Sequence, residues 1–393
     1  MVKEADALAN AGYQITVLYV YWNKWGTEFD KELIASKNWE AICVGGDPQY
    51  KRLTYFISRT IYKLIKTITR NSKKILAADI TAARASYFLT KAAKKHVADL
   101  YIAHNIGALP AVVAAAKLHK KPCGFDAEDF HRYEVHDDDD HEDVILKTTI
   151  ENKYIPQLNY FTTSSPQIAD AYQKLFRGLA PTVLLNVFPK SGSNIKTDHS
   201  DLNQPIKLFW FSQTIGPNRG INDAIDALNL INASHLANKE QFELHLLGDQ
   251  TKTIYIDSIK KSDANIIFHH PIPPNDLVDF TAQFDIGLAL EPGFNTNNDI
   301  ALSNKLFTYM QAGLAIIASD TTAQQAFIAQ NQTIGSLYPK GDAKALADIL
   351  LKYKNNREEL IASKKESLRL AHQQYNWETE SVKFLTLVEK TLG

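Results

Sequence analysis

The sequence has few cysteines, no long apolar run and no excess of charge of either sign. Only Cys43 and Cys123 occur among 393 residues. Each lies in an apolar run, which predicts two reduced core thiols rather than a disulfide framework. No apolar stretch reaches the roughly 18 residues of a membrane span, and no signal peptide is visible. A net charge of -1 gives no electrostatic attraction for nucleic acid. We therefore expect a cytoplasmic protein without a nucleic-acid partner.

Short apolar runs alternate with amphipathic stretches along the whole chain, a pattern typical of parallel α/β sheets. The predicted strands are Ile15–Tyr21, Ala41–Val44, Leu100–Ala103, Gly124–Asp126, Tyr160–Thr163 and Val183–Asn186 in the first half, and Lys207–Trp210, Glu243–Leu247, Asn265–Phe268, Ile286–Leu290 and Leu314–Ala318 in the second. The pattern predicts an α/β fold of two Rossmann-like, doubly wound parallel-sheet domains that face a cleft.

The domain limits follow from a polar segment without periodicity in the middle of the chain. We predict an N-terminal domain over 1–188, a linker over 189–205, a C-terminal domain over 206–376 and a last helix over 377–393. In two-lobed folds of this kind, the last helix often crosses back to the first lobe. The chain begins inside a helix, whereas an α/β domain normally starts with a strand. We therefore expect that the natural gene product extends upstream of Met1, or that the first sheet closes by another arrangement.

Two helix starts in the second half carry cationic and polar groups. Arg219 and Gly220 end a loop between a strand and a helix, where backbone N–H groups and a guanidinium can hold a phosphate together. Ser303 is a good N-cap for a helix that Gly313 ends, and Asn304 and Lys305 follow it. Taken alone, the Arg219 start is more often a solvated surface loop, because strand-loop-helix units are common, and the Ser303 start also fits a capped helix with a solvated lysine. Two of them in one domain, both after strands, favour a diphosphate site.

The second half resembles the donor-binding domain of the retaining glycosyltransferases of family 4, which have the GT-B fold. The resemblance lies in Arg219-Gly220 before a helix, in "NIIFHHPIPPNDL" and in "TYMQAGLAIIASD". In the first half, "EADALANAGYQITVL", "DLYIAHNIGALPAVVAAAK" and "TSSPQIADAY" are similar to further elements of the family. The most specific part runs from 285 to 320, and the resemblance extends over nearly the whole chain.

The resemblance implies roles for individual residues of the second half. Glu291 would be the carboxylate that faces the donor sugar, and Pro271 and Ile272 would lie at the nucleoside. Thr308 stands where the family has a glutamate that holds the ribose hydroxyls. Thr cannot accept two hydrogen bonds as a carboxylate does, so this position departs from the family pattern.

In the first half, the resemblance implies that His104 touches the transferred sugar, although a histidine at a strand end is more often structural. Asp126, Glu128 and Asp129 would bind acceptor hydroxyls or form a solvated strand end. GT-B enzymes generally need no metal, so we expect neither a metal nor another cofactor besides the nucleotide-sugar substrate.

Two charged segments leave alternatives open. The run "EVHDDDDHED" (134–143) repels itself, which predicts an exposed, lid-like loop more than a metal site. Residues 50–74 contain eight Lys or Arg and no acid. Arg59, Lys63, Lys66 and Arg70 fall on one helical face, and Ile57, Ile61, Leu64, Ile65 and Ile68 fall on the other. In the bland interpretation, the apolar face packs on the sheet and the basic face is solvated. The alternative is an interfacial helix that binds anionic lipid at the inner membrane face.

We therefore predict a glycosyltransferase that moves a sugar from a nucleotide-diphosphate donor to a cell-surface glycan or lipid-linked acceptor, with retention if family behaviour holds. One alternative is a non-catalytic GT-B subunit that binds a sugar nucleotide or a partner glycosyltransferase. Another is a sugar-nucleotide epimerase, whose expected acidic and histidine pattern is not evident.

Overall fold

A computed structural model describes residues 1–69, 77–192, 195, 197, 204–234 and 241–393. The chain divides into two units. Unit 1 contains Met1–Leu184 and Ser381–Gly393, and unit 2 contains Leu185–Glu380. The last helix therefore begins in unit 2 and continues into unit 1. Much of the predicted linker lies outside the described residues.

Unit 1 is built from short parallel strands with helices between them. Its strands are β1 (Thr16–Val20), β2 (Glu40–Val44), β3 (Tyr101–His104), β4 (Cys123–Ala127), β5 (Tyr160–Thr163) and β6 (Thr182–Val183). Its helices are α1 (Val2–Asn10), α2 (Lys24–Ala35), α3 (Arg52–Thr69), α4 (Ala78–Thr81), α5 (Ser86–Ala93), α6 (Leu109–His119), α7 (Glu142–Tyr154) and α8 (Pro166–Leu175).

The strands of unit 1 form two parallel sheets rather than one. β1 pairs with β2, and the other sheet has the order β3-β4-β5-β6. The central strands are the most deeply buried: all five residues of β4 and all four of β5 are inaccessible or nearly so. Strands covered on both faces need apolar or small residues throughout, which is why these segments read as continuous runs in the sequence. Cys123 is buried at the start of β4, whereas Cys43 in β2 is only half-buried.

Unit 2 contains one parallel sheet of six strands. The strands are β7 (Ile206–Thr214), β8 (Phe242–Asp249), β9 (Ile266–His269), β10 (Ile286–Ala289), β11 (Ala315–Ser319) and β12 (Gly335–Tyr338). The helices are α9 (Ile221–Ala233), α10 (Thr253–Ile259), α11 (Leu277–Thr281), α12 (Thr296–Ile300), α13 (Asn304–Gln311), α14 (Thr322–Gln330), α15 (Ala343–Asn355), α16 (Arg357–Gln373) and α17 (Trp377–Leu392).

The sheet of unit 2 has the order β12-β11-β10-β7-β8-β9, so β7 and β10 lie side by side in its centre. Its two faces are covered by separate apolar cores, one around Trp210 and Leu288 and the other around Phe209 and Ile316. β12 was not expected from the sequence, because "GSLY" is short and begins with glycine. The order brings the carboxyl ends of β7 and β10 next to each other, which is where ligands bind in open parallel sheets.

Helix α3 differs from the bland interpretation of the basic segment. Of the predicted apolar face, Ile57, Leu64 and Ile68 are exposed, whereas Ile61 and Ile65 are half-buried. Leu53 and Phe56 on the same side are exposed as well. The basic side, in contrast, is engaged in part. Arg59 stacks on Tyr55, with its guanidinium carbon 4.2 Å from the ring centroid, and Lys66 forms an ion pair with Glu142. Arg70 and residues 71–74 lie outside the described residues. Among the described helices, none is both long and apolar enough to cross a membrane.

Candidate functional site

Two helices of unit 2 begin at the carboxyl edge of the sheet without a side-chain cap. α9 follows β7 with Gly220 at its N-cap, and α13 has Ser303 at that position. Neither helix receives a side-chain hydrogen bond from its N-cap residue. The first N–H groups of each helix therefore keep their capacity to bind an anion, and the helix dipole adds to it. Ser303 is correctly placed as the N-cap, but its hydroxyl is used elsewhere.

Gly220 brings the start of α9 against the loop that follows β10. A Cβ at this position would lie 1.9 Å from the carbonyl oxygen of Leu290, and the residue has φ of +73°. Only glycine tolerates both conditions. Arg219 directly before it is exposed. The sequence pattern Arg-Gly thus combines an accessible cation with a backbone that can approach Leu290 and the adjacent Glu291.

Glu291 lies in the centre of a charged cluster at the start of α13. Its Oε1 accepts hydrogen bonds from Lys305 Nζ at 2.6 Å and from Ser303 Oγ at 2.8 Å. The side chains of Glu291 and Lys305 are each only 15% exposed. Burial by itself raises the pKa of Glu291, but the charge and hydrogen bond of Lys305, with further hydrogen bonds from Ser303 and Asn298, outweigh it and lower the pKa. Glu291 is therefore an anion that is paired with Lys305.

A second layer of polar residues holds the backbone of Glu291 in place. Ser319 Oγ donates to the Glu291 carbonyl oxygen at 2.6 Å, and Gln324 Nε2 donates to the Ala289 oxygen at 3.2 Å. Both side chains are fully buried. Sequence reasoning missed Asn298, Ser319 and Gln324. Ser319 and Gln324 are polar residues in apolar surroundings, and this was the available signal.

Asp299, which is separated from Glu291 by seven residues, makes other contacts. Its carboxylate pairs with Lys340 at 3.1 Å and accepts a hydrogen bond from the Thr322 hydroxyl. Burial alone raises the pKa of Asp299, and these contacts together lower it. Asp299 therefore belongs to an ion pair separate from the Glu291 cluster.

The three residues expected at the nucleoside differ in their exposure to solvent. Pro271 is exposed and Ile272 is half-buried in the loop after β9, at the carboxyl edge of the same sheet. Thr308 is fully buried, and its hydroxyl donates to the Asn304 carbonyl oxygen within α13 at 3.3 Å. A side chain without accessible surface cannot contact ribose in this conformation. We therefore remove Thr308 from the candidate nucleoside contacts.

In unit 1, His104 lies between two carboxylates at the end of β3. Its Nε2 is 3.2 Å from Glu4 Oε2, and its Nδ1 is 3.3 Å from Asp126 Oδ2. Burial alone lowers the pKa of His104, but the hydrogen bonds and charges of Asp126 and Glu4 raise it to about 9. The side chain is thus an imidazolium at neutral pH and 18% exposed. Glu4, in the first turn of α1, was not recognised from the sequence.

The three acids that follow β4 have different environments. Asp126 is buried and also accepts a hydrogen bond from Thr162 Oγ1 at 2.7 Å, so its carboxylate is already engaged. Burial raises the pKa of Asp126, and His104 and Thr162 reverse the shift and lower it. The Glu128 side chain is 52% exposed and Asp129 is partly exposed. Among the predicted acceptor contacts, Glu128 and Asp129 are accessible and Asp126 instead orients His104.

Two groups of side chains in unit 1 lie close enough to share a cation, namely Glu4 with His104 and Asp126, and Asp129 with His131 and Glu134. In the first group, the imidazolium already supplies the positive charge. In the second, Glu134 contacts His131 Nδ1 and Lys147 Nζ, each at 3.2 Å. The hydrogen bond with His131 and the charge of Lys147 outweigh burial and lower the pKa of Glu134 to about 2. Neither geometry calls for a metal, and its absence stays a prediction.

The acidic run consists of an exposed loop over 135–140, followed by the start of α7. Tyr133 donates its hydroxyl to Asp139 at 2.6 Å, and His141 caps α7 by accepting from the Asp143 N–H. The prediction of a loop therefore holds for its centre, while Glu142 and Asp143 are helical.

Comparison with known proteins agrees with this architecture. Residues 206–356 match the family model described as glycosyl transferases group 1. The whole chain is similar to Anabaena HepE, solved with UDP, at 14% identity and a TM-score of 0.67, over 99% of this chain and 95% of that one. Sucrose-phosphate synthase from Thermosynechococcus elongatus is 14% identical with a TM-score of 0.64, over 99% and 91% of the chains. A glycosyltransferase from Rickettsia africae is 13% identical with a TM-score of 0.63, over 100% and 93%.

No sequence among the curated proteins matches this chain. At such low identities the solved structures establish the fold, and the family match covers the sheet and the candidate donor residues of unit 2. The predicted α/β class is confirmed, and so is the resemblance to GT-B glycosyltransferases, whereas retention stays a prediction. The chain has the GT-B fold of glycosyltransferases, and its residues 206–356 match the glycosyl transferases group 1 family.

Proposed function

We propose that this protein transfers a sugar from a nucleoside diphosphate donor to a cell-surface glycan or lipid-linked acceptor, with retention of the anomeric configuration. The observation that carries the proposal is the edge of the unit 2 sheet. Two helices begin there without side-chain caps, Arg219 is exposed beside one, and Lys305 belongs to the first turn of the other. This combination suits a diphosphate, which needs several donors and positive charge from more than one direction.

The leaving nucleoside diphosphate gains negative charge as the glycosidic bond breaks. Arg219 and Lys305 would stabilise that charge, together with the Ser303 hydroxyl and the backbone N–H groups of Gly220 and Asn304. Lys305, the Ser303 hydroxyl and the two backbone N–H groups are held by the fold before the reaction, so they need little reorganisation when the charge develops. The exposed Arg219 side chain would turn toward the diphosphate on binding. Such preorganised electrostatic stabilisation is usually the largest contribution to catalysis at sites of this kind.

Glu291 would hold hydroxyl groups of the donor sugar. Its contact with Lys305 supports this role, because a diphosphate that reaches Lys305 brings the attached sugar next to the carboxylate. Glu291 also repels phosphate oxygens, which would keep the diphosphate on the Lys305 side. The Ser319 and Gln324 hydrogen bonds fix the backbone on which this geometry depends.

Retention is inferred from the behaviour of family 4. The acceptor hydroxyl would attack from the side of the leaving group, and a phosphate oxygen would take its proton. The nucleophile forms the new C–O bond as the C–O bond to phosphate breaks, so no strong side-chain base is required. His104 is an imidazolium with a pKa of about 9, which suits contact with an oxygen of the sugar rather than proton abstraction.

On the acceptor side, Glu128 and Asp129 are the accessible carboxylates that could accept hydrogen bonds from acceptor hydroxyls. HepE and its complex with UDP and glucose support a uridine nucleotide as the first donor to test here. A lipid-linked acceptor would bring unit 1 to a membrane, with residues 50–74 as the candidate region of contact.

Incubation with a panel of nucleotide sugars and a panel of glycan and lipid-linked acceptors tests the proposal. We expect one donor to release its nucleoside diphosphate in an acceptor-dependent manner, and NMR of the product should show the anomeric configuration of the donor. Donor binding by calorimetry without release, across all acceptors, would instead favour the non-catalytic alternative. An inverted product would contradict the proposed stereochemistry only.

A further inference from the structure

Unit 1 carries an apolar surface of unusual exposure on helix α3. Leu53 and Ile68 are each 75% exposed, Leu64 and Phe56 are each 57% exposed, and Ile57 is 44% exposed. At 100° per residue, these five side chains fall within one face of the helix. Apolar residues at helical spacing normally face a core, so an exposed stripe of this length indicates a surface that is covered by something else.

The cations of α3 decide which kind of partner fits the stripe. The helix contains four Lys or Arg and no acidic residue. Arg52 and Lys63 are exposed. Both lie along the same edge of the stripe, about three helical turns apart. An apolar face with basic margins complements a bilayer that presents anionic headgroups above an apolar interior. A protein partner would have to supply both an apolar groove and a row of acids.

Aromatic side chains extend this surface beyond α3. Lys31 of α2 lies over the Tyr50 ring at 5.1 Å, and Tyr21 packs on Tyr55 with ring centroids 5.6 Å apart. Tyr55 lies on the inner side of α3, so these contacts place α2 and the end of β1 next to that side of its first turns. Trp22 and Trp25 in this region are 70% and 66% exposed, and Phe29 and Tyr50 are exposed as well. Exposed Trp and Tyr are typical of the headgroup level of membranes, where one end of the ring is apolar and the other is wet.

The attachment of α3 to unit 1 would keep the stripe in this orientation. Ser58, on the opposite side of the helix, donates to the Gly45 carbonyl oxygen at 3.0 Å. A Cβ at Gly46 would lie 2.5 Å from the Tyr55 backbone nitrogen, so the turn after β2 approaches the helix backbone closely. The helix is therefore fixed by its inner side and offers its apolar side outward.

We infer that the α3 stripe inserts at the interface of an anionic phospholipid bilayer, with the exposed Trp22 and Trp25 of the neighbouring segment as further candidates for contact. The stripe supplies the apolar contact, and Arg52 and Lys63 select headgroups of negative charge. This differs from a purely electrostatic attachment through the basic face, since Arg59 and Lys66 are already engaged within unit 1. The inference does not depend on sugar transfer and can be tested without a substrate.

Vesicle binding by the full chain provides the test. We expect cosedimentation with phosphatidylglycerol vesicles and at least tenfold weaker binding to phosphatidylcholine vesicles. The Leu53→Glu/Leu64→Glu double variant should lose at least tenfold in affinity for the anionic vesicles. Both sites are exposed and Glu is a good helix former, so the fold should be retained. The matched control is Ile254→Glu in unit 2, where an 88% exposed side chain lies outside the surface, and its binding should equal that of the wild type.

Brominated lipids report on the aromatic part of the surface. Trp22 and Trp25 should be quenched on binding, whereas Trp39 and Trp210 are buried. The Trp22→Phe/Trp25→Phe variant should still cosediment but lose most of the quenching. Absence of cosedimentation at low salt overturns the inference. So does a wild-type dimer that Leu53→Glu/Leu64→Glu converts to a monomer, because a second copy of the chain would then cover the stripe.

Discussion

At the scale of single residues, the chemistry of unit 2 centres on the shared use of Lys305. Its ammonium group already contacts Glu291 at 2.6 Å and lies 5.8 Å from the centroid of the Trp210 ring. A bound diphosphate would therefore join an existing ion pair rather than meet an isolated cation. Arg219, by contrast, is exposed and its side chain can turn toward a ligand at little cost to the fold.

Lys305→Met and Arg219→Met should each weaken the binding of nucleoside diphosphate. Each removes a charge-assisted contact of about 1.5–3 kcal/mol, which corresponds to roughly tenfold to hundredfold in affinity by calorimetry. Only Lys305→Met should also lower the free energy of unfolding, because it leaves the Glu291 charge buried without its partner. Addition of Glu291→Gln to Lys305→Met should restore part of that stability. Unchanged affinity in both single variants would rule out the diphosphate site.

Glu291→Gln should reduce turnover much more than it reduces binding of the bare nucleoside diphosphate. The amide keeps the size of the side chain but loses the charge-assisted hydrogen bonds to sugar hydroxyls. Steady-state kinetics and calorimetry with the diphosphate separate the two effects. If the bare diphosphate binds much more weakly as well, Glu291 contacts the nucleotide rather than the sugar.

Because the pKa of His104 is raised in the folded state, the free energy of unfolding should depend on pH. The folded state holds this proton up to a pKa of about 9, whereas the unfolded residue releases it near 6.5. The contribution to stability is therefore complete below pH 6.5 and is lost as the pH rises through 9. The difference of 2.5 pKa units, 9 minus 6.5, corresponds to about 3 kcal/mol. Denaturant unfolding of wild type and His104→Gln should show a difference in stability that shrinks over this window. A constant difference would contradict the assigned charge.

At the scale of elements, the start of α9 depends on one glycine. Gly220→Ala should weaken nucleotide binding and destabilise unit 2, because its Cβ would collide with the Leu290 carbonyl oxygen at 1.9 Å. Gly341→Ala is the matched control, since Gly341 has φ of +83° but nothing within 4 Å of the added Cβ. The control should show only the cost of the left-handed backbone, about 1–2 kcal/mol, with nucleotide affinity unchanged. Equal effects of both variants on affinity would show that the close approach does not matter.

Helix α3 shows how an element can be predicted correctly and oriented wrongly. The sequence gives the helical period and its two faces, and the structure confirms a helix over Arg52–Thr69. The assumption that its apolar face packs inward was wrong. An apolar period reports that a face avoids water in the working state of the protein, and this can be achieved by a core or by a partner.

At the scale of the whole molecule, the candidate donor residues lie in unit 2 and the His104 cluster lies in unit 1. Saturation with nucleoside diphosphate should therefore slow hydrogen exchange first in unit 2, at residues 215–220 and 291–305. At a ligand concentration of 100 times Kd, linkage adds about 2.7 kcal/mol to the stability of the binding-competent state. The basic surface of α3 in unit 1 should show no comparable protection. Protection limited to unit 1 would contradict the assignment of the donor site.

The sequence alone determined the features that depend on neighbours along the chain. Continuous apolar runs marked eleven strands, and glycine and the N-cap pattern located the starts of α9 and α13, because backbone hydrogen bonding and side-chain period are local properties. The short strand β12 was not predicted, because four residues are too few to show a strand pattern. The family resemblance added Glu291 and Lys305 as candidates, without indicating that the two touch.

Only the tertiary structure decided how charges are paired and which faces are covered. It placed Glu291 on Lys305, locked His104 between Glu4 and Asp126, buried Thr308 and exposed the apolar side of α3. These outcomes depend on residues far apart in sequence, such as Glu4 and Asp126. The protonation state of each group follows from the sum of its burial and its partners, and neither term exists before the chain has folded.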